Sequence, residues 1–174
     1  MSGDALANWT FEPVTEAHLP MLREWLGRPH VQAWWGGPPT LEELQADLRE
    51  DLAGDQVRGY VARLHGEPAG FIQRYRVMGE DGWWTDETDP GARGIDQYLA
   101  DGGRLGQGLG RAMVRAFVAW LFETDPHATV VQTDPHPDNR RAIACCRAAG
   151  FAAVGVVQTP DGPALLMTIR RPPG

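Results

Sequence analysis

The stretch "RGIDQYLADGGRLGQGLGRAMVRAFVAWLF", residues 93–122, limits the fold more than any other part of the chain. A short apolar strand, "RGIDQYLA", runs into a turn dense in glycine. The turn opens a helix that sets Leu109, Met113, Phe117 and Trp120/Leu121 at core spacing. A strand that hands over to an amphipathic helix in this way predicts a sheet with the helix packed against it. Backbone N–H groups from Gly106 to Gly110 can point outward at the helix start, an arrangement that suits anions and phosphate above all. A glycine-rich turn that holds no ligand is the plainer alternative. Two nucleotide motifs fail on pattern. A P-loop needs Lys-Ser or Lys-Thr after its last glycine, and Arg111-Ala112 follows here. A dinucleotide fingerprint needs Gly-x-Gly-x-x-Gly near the first strand and an acidic residue about 20 positions on. Here the spacing is Gly-x-Gly-x-Gly, in mid-chain.

The flanking sequence predicts the other elements. "TFEPV" reads as a first strand, and a helix near Glu16 to Leu26 follows behind a Thr15 cap. "RPHVQAWWGGPP" reads as a loop by its glycines and prolines, with Trp34 expected in the core. "TLEELQADLREDL" reads as a helix with a Thr40–Glu43 capping box and Leu41, Leu44, Leu48 and Leu52 on one face. "GYVARLHGEPAGFIQRYRVM" gives two strands around a turn at residues 65–68. Beyond the glycine helix, "ATVVQTD" is a strand, and "PHPDNRRAIACCRAAG" is a loop and a helix ending at Gly150. "FAAVGVVQTPDGPALLMTIRR" is a hairpin around "TPDG". The order predicts an α/β fold: a mixed, mostly antiparallel twisted sheet with helices on both faces. No repeat or low-complexity stretch marks a boundary, so residues 1–174 read as a single domain.

Composition narrows the partner. With 43% hydrophobic and 22% charged residues the chain is an ordinary globular mix. A net charge of −7 disfavours nucleic acid, whose phosphates demand basic patches, and suits a cationic ligand. No apolar run reaches the roughly 18 residues of a membrane span, and the N-terminal stretch lacks the pattern of a signal peptide. The cysteines, Cys145 and Cys146, are neighbours, which makes neither a disulfide framework nor a metal spacing. A reducing cytoplasm is the expected compartment, and no metal is expected. A monomer and a weak dimer both fit.

One loop stands out. "DGWWTDETDPGARGID", residues 81–96, sets Trp83 and Trp84 among Asp81, Asp86, Glu87, Asp89 and Asp96, with Arg93 the only base.

Taken together these motifs resemble the GCN5-related N-acetyltransferase (GNAT) family. Its pyrophosphate loop, Gln/Arg-x-x-Gly-x-Gly/Ala, matches "LGQGLG" at Gly108 and Gly110, with Leu105 departing from the pattern at the first position. Its asparagine at the start of the next helix matches Asn139, and its "AGF" ending matches Ala149-Gly150-Phe151. "WWGG", "DGWW…ETDPG…RGIDQ", "QTDPHPDNRRAI" and "TPDGPA" look like the aminoglycoside 6′-N-acetyltransferases of the Ib type, which acetylate kanamycin-like antibiotics.

The resemblance implies acetyl-CoA as co-substrate, held by Gln97, Tyr98, Leu99, Leu105, Gly106, Gln107, Gly108, Leu109, Gly110 and Asn139. It implies Trp35, Asp81, Trp83, Trp84, Asp96, Asp134 and Asp161 as substrate contacts, with Asp96 orienting the attacking amine and accepting its proton. Carboxylates suit the ammonium groups of an aminoglycoside, and flat aromatic walls suit its sugar rings. Asp161, in Pro-Asp-Gly, is equally an ideal turn former. Many family members carry, four residues before the final glycine, a tyrosine that protonates the departing thiolate. This chain carries Cys146 there, either a proton donor or a small packing residue. Another acceptor amine, such as a polyamine, is the alternative substrate, and a non-catalytic binder of the antibiotic or of acyl-CoA is the other.

Overall fold

The computed structural model describes residues 8–78 and 87–174. Seven strands form one sheet in the order β1-β2-β3-β4-β5-β7-β6. They are β1 (Trp9–Pro13), β2 (Val57–Leu64), β3 (Glu67–Arg76), β4 (Ala92–Leu99), β5 (Val130–Thr133), β6 (Ala152–Thr159) and β7 (Gly162–Arg170). Among the described strands only β4 and β5 run parallel, and every other neighbouring pair is antiparallel. Among the described residues five α-helices pack on the sheet: α1 (Leu19–Leu26), α2 (Pro29–Trp35), α3 (Leu41–Ala53), α4 (Leu109–Thr124) and α5 (Arg140–Ala148).

Strand alternation sorts the helices onto two faces. On β4, Ile95 and Leu99 join Met113 and Phe117 of α4 and Cys146 of α5 in one core. Tyr98 turns the other way and packs with Leu22 and Trp25 of α1 and Val31 of α2. The sheet is therefore sandwiched, as the element order predicts.

Several local readings are corrected or refined by the structure. "RPHVQAWW", expected as a loop, contains helix α2. Pro29 is tolerated in a first helical turn, burial of Val31 fixes the helix to the core, and Gly36 at φ 81° ends it. Trp34, expected in the core, is 51% exposed. The leucine stripe of α3 is half used: Leu44 and Leu48 pack against the core, whereas Leu41 and Leu52 face solvent. The first helix begins as a 3-10 turn at Glu16–His18 and continues as α1 once Pro20 has entered the first turn. The hairpin between β2 and β3 turns on His65 and Gly66 alone, both at positive φ, the signature of a two-residue turn.

Candidate active site

The β4–β5 ladder is short. Paired positions run from Ala92–Val130 to Gly94–Gln132 and stop. Past that point β4 continues to Leu99 while β5 ends at Thr133, whose hydroxyl donates to the Ile95 carbonyl at 3.3 Å. The strands part, and two clefts open on either side of residues 96–99.

The larger cleft, about 970 Å³, runs along the glycine turn. Gly106 and Gly108 lie at φ 77° and 82°, a region glycine enters without strain, and Gly108 is the N-cap of α4. Gly110 is closely packed: a Cβ there would stand 3.3 Å from the Cys145 sulfur on α5, a tight contact. The glycine turn borders the cleft at the start of a 16-residue helix, whose dipole adds positive potential there. Arg111, Arg140 and Arg141 border the same space. Gln97, Tyr98, Leu99, Leu105, Gly106, Gln107, Gly108, Gly110 and Asn139 all line it. Leu109 does not; it packs against the core at the start of α4. The Asn139 carbonyl accepts from the Ala142 amide at 3.2 Å, so this asparagine also caps α5. The cleft offers an extended wall of strand backbone and a seat for an anion. Both are what the phosphates and amide arm of coenzyme A require.

The smaller cleft, about 570 Å³, gathers Trp35, Asp96, Asp134 and Asp161 from α2, β4, the end of β5 and the β6–β7 turn. Burial pushes the Asp96 carboxyl up from its ordinary value, partly offset by a hydrogen bond that Gln73 donates at 3.0 Å. A carboxylate in that state is a stronger base than one in water. Tyr75 lies against Gly94, where a Cβ would collide with its ring. Burial, then the charges of Asp96 and Asp134, push its phenol well above the ordinary range, so it stays protonated. Trp35 stands edge-on to Tyr98, with centroids 5.1 Å apart, and Trp34 lies 5.9 Å from His136. Asp161 serves its turn through the backbone, donating to Thr159 at 3.2 Å, while it also borders the cleft. Asp81, Trp83 and Trp84 lie outside the described residues.

Cys146 is fully buried and lines neither cleft, and burial, followed by its neighbour Cys145, pushes its thiol up to about 12. Sequence reasoning missed Gln73, Tyr75, Trp34 and His136. Strand alternation offered one signal for the first two, since Gln73 and Tyr75 pair with Asp96 and Gly94 across β3–β4. Nothing in the sequence marked the exposure of Trp34 or its pairing with His136.

Comparison with known proteins points the same way. Residues 14–159 match the acetyltransferase (GNAT) domain family. An aminoglycoside N(6′)-acetyltransferase type 1 from Klebsiella pneumoniae is 52% identical over 167 residues, covering 93% of this chain and 83% of that protein. The crystal structure of aminoglycoside acetyltransferase AAC(6′)-Ib with coenzyme A and kanamycin superposes with a TM-score of 0.87. Its sequence identity is 50%, with 94% of this chain and 95% of that one covered. The same enzyme with paromomycin and acetyl-CoA gives 0.88.

Proposed function

The chain belongs to the GNAT acetyltransferases and, among them, to the aminoglycoside N(6′)-acetyltransferases, and from that premise we propose how its two clefts divide the reaction. Acetyl-CoA occupies the larger cleft, and a kanamycin-like aminoglycoside occupies the smaller one. The acetyl group passes to the 6′-amine at the point where they meet. The observation that carries this reading is the convergence of Asp96, Asp134 and Asp161 with Trp35 beside the glycine cleft. Three carboxylates from three elements form a site for ammonium groups, and an indole face suits a sugar ring carrying them.

Gly106 to Gly110 hold the pyrophosphate, and the unpaired edge of β4 aligns the pantetheine arm as an added strand would be aligned. Asp96 orients the 6′-amine and takes its proton as nitrogen attacks the acyl carbon. Backbone N–H groups in the Gln97–Leu99 segment stabilise the developing oxyanion. Holding both reactants in line supplies the entropic share of the acceleration. Asp134 and Asp161 receive the remaining ammonium groups, and the loop carrying Asp81, Trp83 and Trp84 contributes further contacts. The need for acetyl-CoA supports a cytoplasmic setting.

The test is thiol release from acetyl-CoA, measured with kanamycin, tobramycin, spermidine and no acceptor in parallel. Release that depends on the aminoglycosides and is weak with spermidine supports the reading. Faster release with spermidine would move the substrate class to flexible polyamines. Calorimetric binding of kanamycin without release would make the protein a sequestering one.

A further inference from the structure

Six residues border both clefts, and the polar side chains among them include Gln97 and Asn139, together with the two indoles of Trp34 and Trp35. The Asn139 carbonyl is committed to the α5 cap. Gln97 is different. Its Nε2 lies 3.9 Å from the Cys146 sulfur, within the range of a weak hydrogen bond, while its Oε1 is buried and has no hydrogen-bond partner among the described residues. A buried amide carbonyl is normally paired, so one left over at a junction of ligand sites is an acceptor awaiting a donor.

The reaction also lacks something at this junction. A thiolate departs from the acyl carbon and must gain a proton. Cys146 stands where many relatives of the family carry a tyrosine for this purpose, yet its thiol is sealed beneath Gln97 and touches neither cleft.

We propose that Gln97 is a positioning residue for proton return: its side-chain carbonyl anchors a water molecule that protonates the departing coenzyme A sulfur. This rests on the acetyl-transfer reading above. One O–H of the water donates to Gln97 Oε1, which leaves the other directed at the sulfur. As nitrogen bonds to the acyl carbon, the carbon–sulfur bond breaks with its electron pair on sulfur. Sulfur takes a proton from the water. Asp96 releases the amine's proton to solvent and the water regains one from solvent, so amine and thioester become amide and thiol with nothing left over. Cys146 acts only by holding the amide end of Gln97, which fixes the direction of its carbonyl.

The experiment compares the wild-type enzyme with Gln97→Leu and with Gln97→Leu/Cys146→Tyr, using steady-state thiol release with kanamycin. Gln97→Leu is expected to lower kcat about tenfold or more, with the KM for acetyl-CoA and for kanamycin within about twofold, and to raise the solvent deuterium isotope effect on kcat. Tyrosine at position 146 brings its own hydroxyl, so the double variant is expected to recover most of the lost kcat. A Gln97→Leu enzyme with unchanged kcat, or one in which only the KM for acetyl-CoA rises, overturns the proposal in favour of packing or cofactor binding. If the double variant does not fold, the kcat–KM split and the isotope effect of the single variant decide the matter. Wild-type protein without acceptor-dependent release would instead defeat the acetyl-transfer reading itself.

Discussion

At the scale of single residues, two influences act on Asp96 in opposite senses. Burial raises its pKa above the ordinary carboxylate value of 3.8, and the Gln73 hydrogen bond lowers it. In its proposed role as base it works only when ionised, so kcat/KM is expected to climb with pH across that raised value rather than near 4. Gln73→Leu removes the bond that favours the charged form and should shift the acid limb to higher pH. Asp96→Asn is expected to cost about 10² to 10⁴ in kcat, with kanamycin binding retained. A pH–rate profile of the three enzymes checks both. An acid limb unmoved by Gln73→Leu would mean that this hydrogen bond does not tune the base. Asp96 was legible as a residue type, because an acidic loop rich in tryptophan asks for a cationic ligand, whereas Asp134 and Asp161 were reached only through the resemblance of their motifs. Gln73 and Tyr75 were not legible, since their relevance comes from the register of β3 against β4.

At the scale of elements, β4 is tied to the end of α4 by a buried ion pair. Arg93, 1% exposed, donates from Nε to Asp125 at 2.8 Å and from Nη1 to the Pro90 carbonyl at 2.8 Å. Burial alone would raise the Asp125 carboxyl, but the Arg93 guanidinium outweighs it and holds the group below the ordinary range. A folded pKa below the unfolded one contributes stability that is present at neutral pH and is lost as pH falls through the folded value. Asp125→Ala leaves Arg93 buried without its counter-charge, and a loss of about 3 kcal/mol is expected at pH 7. Urea denaturation checks it, and the gap between variant and wild type should narrow toward pH 3. The long, periodic elements were readable: α4 buries Met113, Phe117 and Leu121 as its spacing predicts. Helix α2 was not, because two glycines and two prolines outweighed seven residues whose helicity depends on the burial of Val31.

At the scale of the whole molecule, net charge and site charge have the same sign. A chain of net charge −7 draws a polycation from a distance, and the carboxylates of the smaller cleft are the groups proposed to hold it. Raising ionic strength from about 0.05 M to about 0.5 M shortens the screening length to a few ångströms. The KM for kanamycin should then rise about tenfold with little change in kcat. A KM indifferent to salt would place the affinity in short-range hydrogen bonds instead.

The sequence by itself determined the order of the strands and of the long helices, the glycine turn at the head of α4, and a net charge that suits a cationic ligand. All of these follow from local periodicity, backbone freedom and residue type. Tertiary structure alone decided where β4 and β5 part, since the ladder stops at Gly94–Gln132 without any mark in either strand. It alone decided that Asp96 and Gln97, adjacent in sequence, act on opposite faces of the sheet, one held by Gln73 and the other set against Cys146. It also decided that Cys146 is enclosed, because burial depends on what α4, α5 and the sheet bring around a side chain. Spacing along the chain records which face a residue takes. The depth of that face, and the groups waiting there, are set by packing between segments far apart in sequence.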